Sequence, residues 1–299
     1  MYINDLPNSS PYFNFRLFAD DSNLFHTFNT NDCNVDLEHI SAKMKDVIEW
    51  CNANKLTINV NKTKYMLFKN KRRKSQISGH LSIGESILES VNSTAFLGIC
   101  IDENLNWKKH INTVCTILSK KIGILYRIRN YVSTKILVTL YYAIIHPHIT
   151  YGLEVWGAAC TTSINPILIL QKRMSRLITF SDYKHHSNPL FLELKILDVF
   201  KEYRYQIGVF MHDLLNDNLP HQTDDYFSYI DHMYNTRNKQ KGNFKIGSIK
   251  TNLGKQTISH SGAIIWNNLP ITLRNLNSRK KFCKAFKLSL LQEYQDVSL

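Results

Sequence analysis

Two periodicities divide this chain. In the first hundred residues short apolar alternations dominate, and "FNFRLFA" (13–19) predicts a strand with "NLFHTF" (23–28) as its return. Asp20 and Asp21 fall at or beside the turn between them. Leu37, Ile40, Met44, Val47 and Cys51 recur at spacings of three and four, which predicts a helix of about twenty residues with Lys43, Lys45 and Asp46 on its polar side. "LTINVNKTKYMLF" (56–68) predicts two strands broken by a polar turn, the basic run "KNKRRK" follows, and "AFLGICID" (95–102) predicts another short strand.

After about residue 108 the period changes. Val114, Ile117, Leu118, Ile122, Leu125 and Ile128 mark one amphipathic helix, with Lys120 and Arg127 on its polar side. A second is expected from Thr134 to Ile145, stopping at Pro147. A third is expected to begin with Asn165 as cap and Pro166 in the first turn. It sets Ile167, Leu170, Met174 and Leu177 against Lys172 and Arg176. "FLELKILDVFKEYRYQIGVFMHDLLND" (191–217) continues helical, and the end alternates loops such as "NTRNKQKGNFKIG" with a short helix, "SRKKFCKAFKLSLLQEY". The pattern predicts an α+β chain: a mixed part over 1–107, a helical part over 108–220 and a basic C-terminal region over 221–299.

Composition fits a globular protein, with 43% hydrophobic and 20% charged residues among 299. Charge sharpens the division: residues 1–100 hold 11 Lys/Arg against 10 Asp/Glu, and residues 101–299 hold 26 against 14. A basic half beside a nearly neutral one points to a polyanion along the second, the plainer alternative being a solvated basic surface. The six cysteines show no C-x-x-C or paired Cys/His spacing, so free thiols in a reducing compartment are expected. No signal-peptide pattern opens the sequence, which gives its three Asn-x-Ser/Thr triplets no meaning. The most apolar stretch, "ILVTLYYAIIHPHITYGLEVW", holds two histidines, a proline and a glutamate and is not read as a membrane span.

Asp20 and Asp21 have two readings. Asp-Asp-Ser-Asn is ordinary turn chemistry, because Asp and Asn accept backbone hydrogen bonds and tolerate tight bends. Alternatively, two adjacent carboxylates in an apolar setting call for raised pKa values or a cation, and magnesium, which prefers oxygen ligands, is the natural partner. A pair of such ions serves phosphoryl transfer, given a further carboxylate from a neighbouring strand.

The order of motifs favours the second reading. "YINDLP" precedes "FADD"; then come "WCNANKLTINVNKTKYMLF", "FLGICID", "NWKKH", "YYAIIHPHITYGLEVWG", "TRNK", "SGAIIWNNLP" and "FKLSLL". This ordered set, running over essentially the whole chain, resembles the reverse transcriptase of non-LTR, LINE-type retrotransposons, most nearly the Jockey-like branch, from its FADD motif onward.

The resemblance implies a polymerase palm over the first part and a thumb over the helical part. It implies Asp20 as the main ligand of two Mg2+ ions and Asp21 as a supporting one. Asn59, Lys62 and Thr63 fall in the next palm motif, whose lysine is implied to protonate the departing pyrophosphate, while a solvated turn lysine is the plainer reading of Lys62. Phe96, Leu97 and Gly98 resemble the primer grip, where Gly98 would let backbone approach the primer strand. Lys120, Arg127, Lys172, Arg173 and Arg176 would contact phosphates of an RNA template and DNA primer, or else line a solvated face. Tyr141, Tyr142, Tyr151 and Trp156 either stack on bases or fill the core. His146, His148, His185 and His186 are not read as metal ligands.

The family's upstream palm aspartate and its glycine-containing nucleotide-pocket motif lie outside these 299 residues. The chain alone is therefore expected not to polymerise dNTPs and to leave its hairpin edge unpaired. Binding RNA or DNA without chemistry, as a remnant of such an element, is the alternative. An intracellular location, nucleus and cytoplasm, is expected.

Overall fold

The computed structural model describes residues 3–28, 34–68, 76–220, 226–229 and 243–295, and the chain is α+β. The basic run "KNKRRK" and the "TRNK" segment lie outside the described residues. Two units divide the chain, Met1–Leu105 and Asn106–Leu299.

In the first unit a helix, α1 (Leu37–Ala53), carries small pairs of strands. Asp36 caps it, its carboxylate accepting the Glu38 amide at 3.0 Å. Leu37, Ile40, Val47 and Cys51 turn inward, as the spacing predicts, against Phe13, Phe15, Leu81, Ile83 and Leu88. Strands β1 (Asn14–Phe18) and β2 (Asp21–Phe25) form an antiparallel hairpin whose register runs from Asn14 opposite Phe25 to Phe18 opposite Asp21.

Two strand expectations change. Of "LTINVNKTKYMLF" only β4 (Lys64–Tyr65) becomes a strand; β3 is Asn34–Asp36. Ahead of β4 the backbone folds onto Asn59, whose carbonyl accepts the amides of Lys62 and Thr63, and so leaves the ladder. "AFLGICID" is not one strand but most of a hairpin. After the short strands β5 (Gln76–Ser78), β6 (Ser82–Ile83), β7 (Ser86–Ile87) and β8 (Glu89–Ser90), it is formed by β9 (Ser93–Phe96) and β10 (Ile99–Asp102).

In the second unit, α2 (Lys108–Ile128) buries Ile111, Val114, Leu118, Ile122 and Leu125 on the stripe its periodicity predicts. The next helix does not stop at Pro147. It runs as α3 (Thr134–Leu140), a π-helical turn Tyr141–Ile145, and α4 (His146–Thr150). The His146 amide donates to the Tyr141 carbonyl five residues back, and this widened turn makes room for the proline ring that would otherwise clash with the preceding turn. A short α5 (Leu153–Trp156) follows.

The third expected helix, α6 (Thr161–Thr179), begins before Asn165, with Cys160 at its N-cap and Pro166 inside it. Beyond α7 (Ser187–Glu193) the chain breaks at Lys195, which has φ +54°, and resumes as α8 (Val199–Leu215). The remaining described helices are α9 (Asn252–Lys255), α10 (Ile258–Asn267), α11 (Ile271–Arg274) and α12 (Arg279–Gln292). Helices α10 and α12 pack on α8 inside this unit. Gly208 permits the α12 approach, since a Cβ there would collide with the Phe286 ring. No described helix is long and apolar enough to cross a membrane.

Candidate active site and nucleic-acid interface

The β1–β2 hairpin closes through two residues, Ala19 and Asp20. Ala19 sits at φ +51°, the left-handed region that two-residue hairpin turns use and that an L-residue enters at a cost of about 1–2 kcal/mol. Cross-strand partners share a face, so Asp21 lies on the side of Phe18, Arg16 and Asn23, while Phe15, Leu17 and Leu24 lie on the other. Phe15 is buried; Asp20 and Asp21 are exposed, and Phe18 is 60% exposed. The aspartates therefore stand at a solvated tip: the buried Phe15 lies on the opposite face of the ribbon, and the rings that share the face of Asp21, Phe18 and Phe25, are themselves exposed.

Lower on the hairpin, the Tyr12 and His26 rings stack at 4.2 Å, and Lys43 from α1 lies 5.9 Å from the Tyr12 centroid. These contacts tie the base of the hairpin to the helix and leave its tip projecting.

The donor set suits a hard cation in part. Asp20 and Asp21 supply adjacent carboxylate oxygens, the ligand type magnesium takes, but they are few of the roughly six positions it fills. Among the described residues no group of three His, Cys, Asp or Glu side chains is placed to hold a metal. The pair fits one side of a metal site whose other ligands come from elsewhere.

Lys62 stands on a separate turn. Asn59 builds it, accepting the Lys62 amide at 3.1 Å on its carbonyl and 3.2 Å on its side chain, with the Thr63 hydroxyl donating to the same carbonyl at 2.9 Å. The Lys62 side chain is exposed, and no hydrogen bond or ion pair joins it to Asp20 or Asp21. Gly98 occupies a third position, the turn of the β9–β10 hairpin, where Leu97 has φ +47° and Gly98 φ +79°. Two successive positive φ values explain why glycine stands there.

In the second unit Lys120 and Arg127 are exposed on α2, in line with the exposed Lys109, since spacings of 11 and 7 return to one side of a helix. Arg173 is exposed and Lys172 half-buried on α6. Arg176 is engaged: its Nε donates to the His185 carbonyl at 3.0 Å, and its guanidinium lies 5.8 Å from the Tyr183 centroid. Of the four aromatics, Tyr141 and Trp156 are core. Tyr142 bonds the Lys195 carbonyl at 3.0 Å, and Tyr151 is exposed.

His146 approaches Glu202 at 3.5 Å, a partner distant in sequence. Periodicity also overlooks Arg129, which lies over both Tyr126 and Phe180. The signal for that surface is compositional: residues 104–181 hold ten lysines and arginines and a single carboxylate, Glu154.

Similarity to known proteins runs in one direction. The chain is 30% identical over 157 residues to the probable RNA-directed DNA polymerase from transposon X-element of Drosophila melanogaster, covering 52% of this chain and 17% of that protein. It is 26% identical over 182 residues to the probable RNA-directed DNA polymerase from transposon BS of the same organism, covering 60% and 20%. To the RNA-directed DNA polymerase from mobile element jockey of Drosophila funebris it is 25% identical over 162 residues, covering 53% and 17%. These alignments span a fifth or less of each relative's length. No protein-family model matches the chain, and no solved structure does. The resemblance is thus borne out over about half of the chain: it is a sequence relative of the RNA-directed DNA polymerases of Drosophila non-LTR retrotransposons.

Proposed function

We propose that this chain is the C-terminal part, from the FADD motif onward, of a non-LTR retrotransposon reverse transcriptase. Residues 1–107 act as part of the palm, 108–220 as the thumb, and 221–299 as a basic extension. The observation that carries this reading is the position of Asp20 and Asp21 at the tip of a two-residue hairpin in a chain related to such polymerases.

Asp20 and Asp21 would hold Mg2+ at that tip; with a further carboxylate the ion would supply Lewis-acid stabilisation of the oxygens exchanged in nucleotidyl transfer. Lys62, exposed on its Asn59-built turn, donates a proton to that leaving group, Gly98 lets backbone approach the primer, and Lys120, Arg127, Lys172, Arg173 and Arg176 lie along the template–primer phosphates. The two hairpin carboxylates alone are too few to bridge two ions, so the isolated chain is proposed to be inactive on dNTPs. The protein acts inside the cell, in cytoplasm and nucleus.

Primer extension on an RNA template tests this in a chimera in which these residues replace the corresponding ones of the jockey polymerase. Incorporation should require Asp20; synthesis unchanged in Asp20→Ala removes the assignment.

A second reading, nucleic-acid binding without chemistry, is favoured by the excess of cations in the second unit and by the lack of a three-ligand cluster among the described residues. Under it the isolated chain binds an RNA–DNA duplex with affinity falling steeply from about 50 to 200 mM salt, and the chimera stays silent.

A further inference from the structure

The C-terminal ends of α2 and α6 carry exposed rings and cations from two helices that pack together. Arg129, just past the end of α2, lies 5.4 Å from the Tyr126 centroid and 4.7 Å from that of Phe180, which ends α6 in the left-handed region at φ +57°. One turn back on α6, Arg176 lies against Tyr183. Tyr126 is 61% exposed, Phe180 47% and Tyr183 88%. No described carboxylate forms an ion pair with Arg129 or Arg176.

Left to stability alone, exposed rings of this size have no reason to gather where three arginine or lysine side chains (Arg127, Arg129 and Arg176) also stand. A ring face attracts a base, which offers a π-surface whatever its sequence, and an arginine beside the ring attracts the phosphate that follows it. Duplex backbone offers phosphates but keeps its bases stacked on one another, so it uses the cations and leaves the rings idle. A single strand uses both. We propose that the Tyr126–Arg129–Phe180 cluster, extended by Tyr183, is a stacking platform for single-stranded nucleic acid at the edge of the basic helical surface. It rests on the nucleic-acid-binding part of the function proposed above and adds an unpaired strand as the ligand at this place.

The chain should bind fluorescent oligo(U) and oligo(dT) of about twelve nucleotides, a length within the range such sites cover. Tyr126→Ala with Tyr183→Ala should weaken single-strand binding about tenfold while changing affinity for an RNA–DNA duplex less than about twofold. The slope of log affinity against log salt should stay as in the parent, because no phosphate contact is removed. Tyr126→Phe with Tyr183→Phe should restore binding, since the rings remain. Both positions are exposed, and an unchanged melting temperature certifies the fold. Tighter binding of one oligonucleotide tells whether RNA or DNA is the strand held.

Unchanged single-strand affinity in the alanine variant, or an equal loss for duplex, overturns the platform while leaving the basic surface standing. A poly-glutamate peptide that displaces oligo(U) as effectively as unlabelled oligo(U) also overturns it, and reassigns the cluster to an acidic protein. If the parent chain binds neither strand nor duplex, the binding part of the proposed function fails with it.

Discussion

The side-chain oxygen of Gln171 accepts the backbone amide of Val199 at 2.7 Å. Gln171 is buried in the middle of α6, and Val199 opens α8. The side-chain nitrogen of Gln171 donates to the Tyr141 hydroxyl at 3.2 Å and to the Leu197 carbonyl at 3.3 Å. One side chain thus satisfies the buried backbone where the chain turns into α8 and fixes it to the π turn.

Gln171→Leu fills the same space but leaves the Val199 amide and the Leu197 carbonyl without this partner. The expected loss is about 2–4 kcal/mol, or roughly 5–12 °C in melting temperature for a unit of this size. Calorimetry checks it, and a drop below about 2 °C would show that the surrounding groups find other partners.

The sequence made some of this legible and hid the rest for physical reasons. Helix α2 was readable because a long helix with one buried stripe repeats its signal five times over, from Ile111 to Leu125. The β1–β2 hairpin was readable because both arms alternate and the acidic turn stands between them. Pro147 misled, because a proline marks a helix end only where the backbone has no wider turn to absorb it, and the π turn at Tyr141–Ile145 supplies one. The exposure of Asp20 and Asp21 was hidden as well: "FNFRLF" alternates, and only the register shows that Phe18 faces outward with Asp21. Pairings such as Arg129 over Phe180, 51 positions apart, leave no local pattern at all.

Acid should weaken the second unit through Glu293. Burial works to raise the pKa of this carboxyl, but hydrogen bonds from Arg204, at 2.8 and 2.9 Å, and from Lys201 outweigh it and hold the group below its usual value. A depressed carboxyl contributes stability that is present above its unfolded pKa, about 4.3, and is lost as pH falls through the lower folded value. Glu293→Gln should therefore melt below the parent at neutral pH, with the gap narrowing below about pH 4. A gap independent of pH would mean that the hydrogen-bond geometry around Glu293, not its charge, carries the effect.

The surface cations should divide by what already holds them. Lys120→Gln and Arg127→Gln remove exposed charges and should each lower the slope of log affinity against log salt by about 0.7–0.9, with the melting temperature unchanged. Arg176→Gln breaks the bond to the His185 carbonyl and the Tyr183 contact, so it should lower the melting temperature and change the slope less. Titrations at several salt concentrations, with melting curves of the same variants, separate the two groups. Slopes unchanged from the parent in Lys120→Gln and Arg127→Gln would argue against a phosphate track along α2.

The hairpin tip gives the last expectation. Ala19 holds φ +51° beside Asp20, a conformation that glycine adopts without the steric cost of a Cβ. Ala19→Gly removes a strain of about 1–2 kcal/mol and gives back part of it as extra freedom in the unfolded chain, so the net gain should be about 0.5 kcal/mol. The turn keeps its register, and Asp20 and Asp21 keep their places, so Mg2+-dependent incorporation by the chimera should survive this substitution and disappear in Asp20→Ala. Loss of incorporation in Ala19→Gly with undiminished stability would mean that the strained alanine itself sets the carboxylate geometry, as strain at functional turns can. Stability measured by denaturant titration, alongside incorporation by the same protein, decides between a turn that merely carries the aspartates and one that aims them.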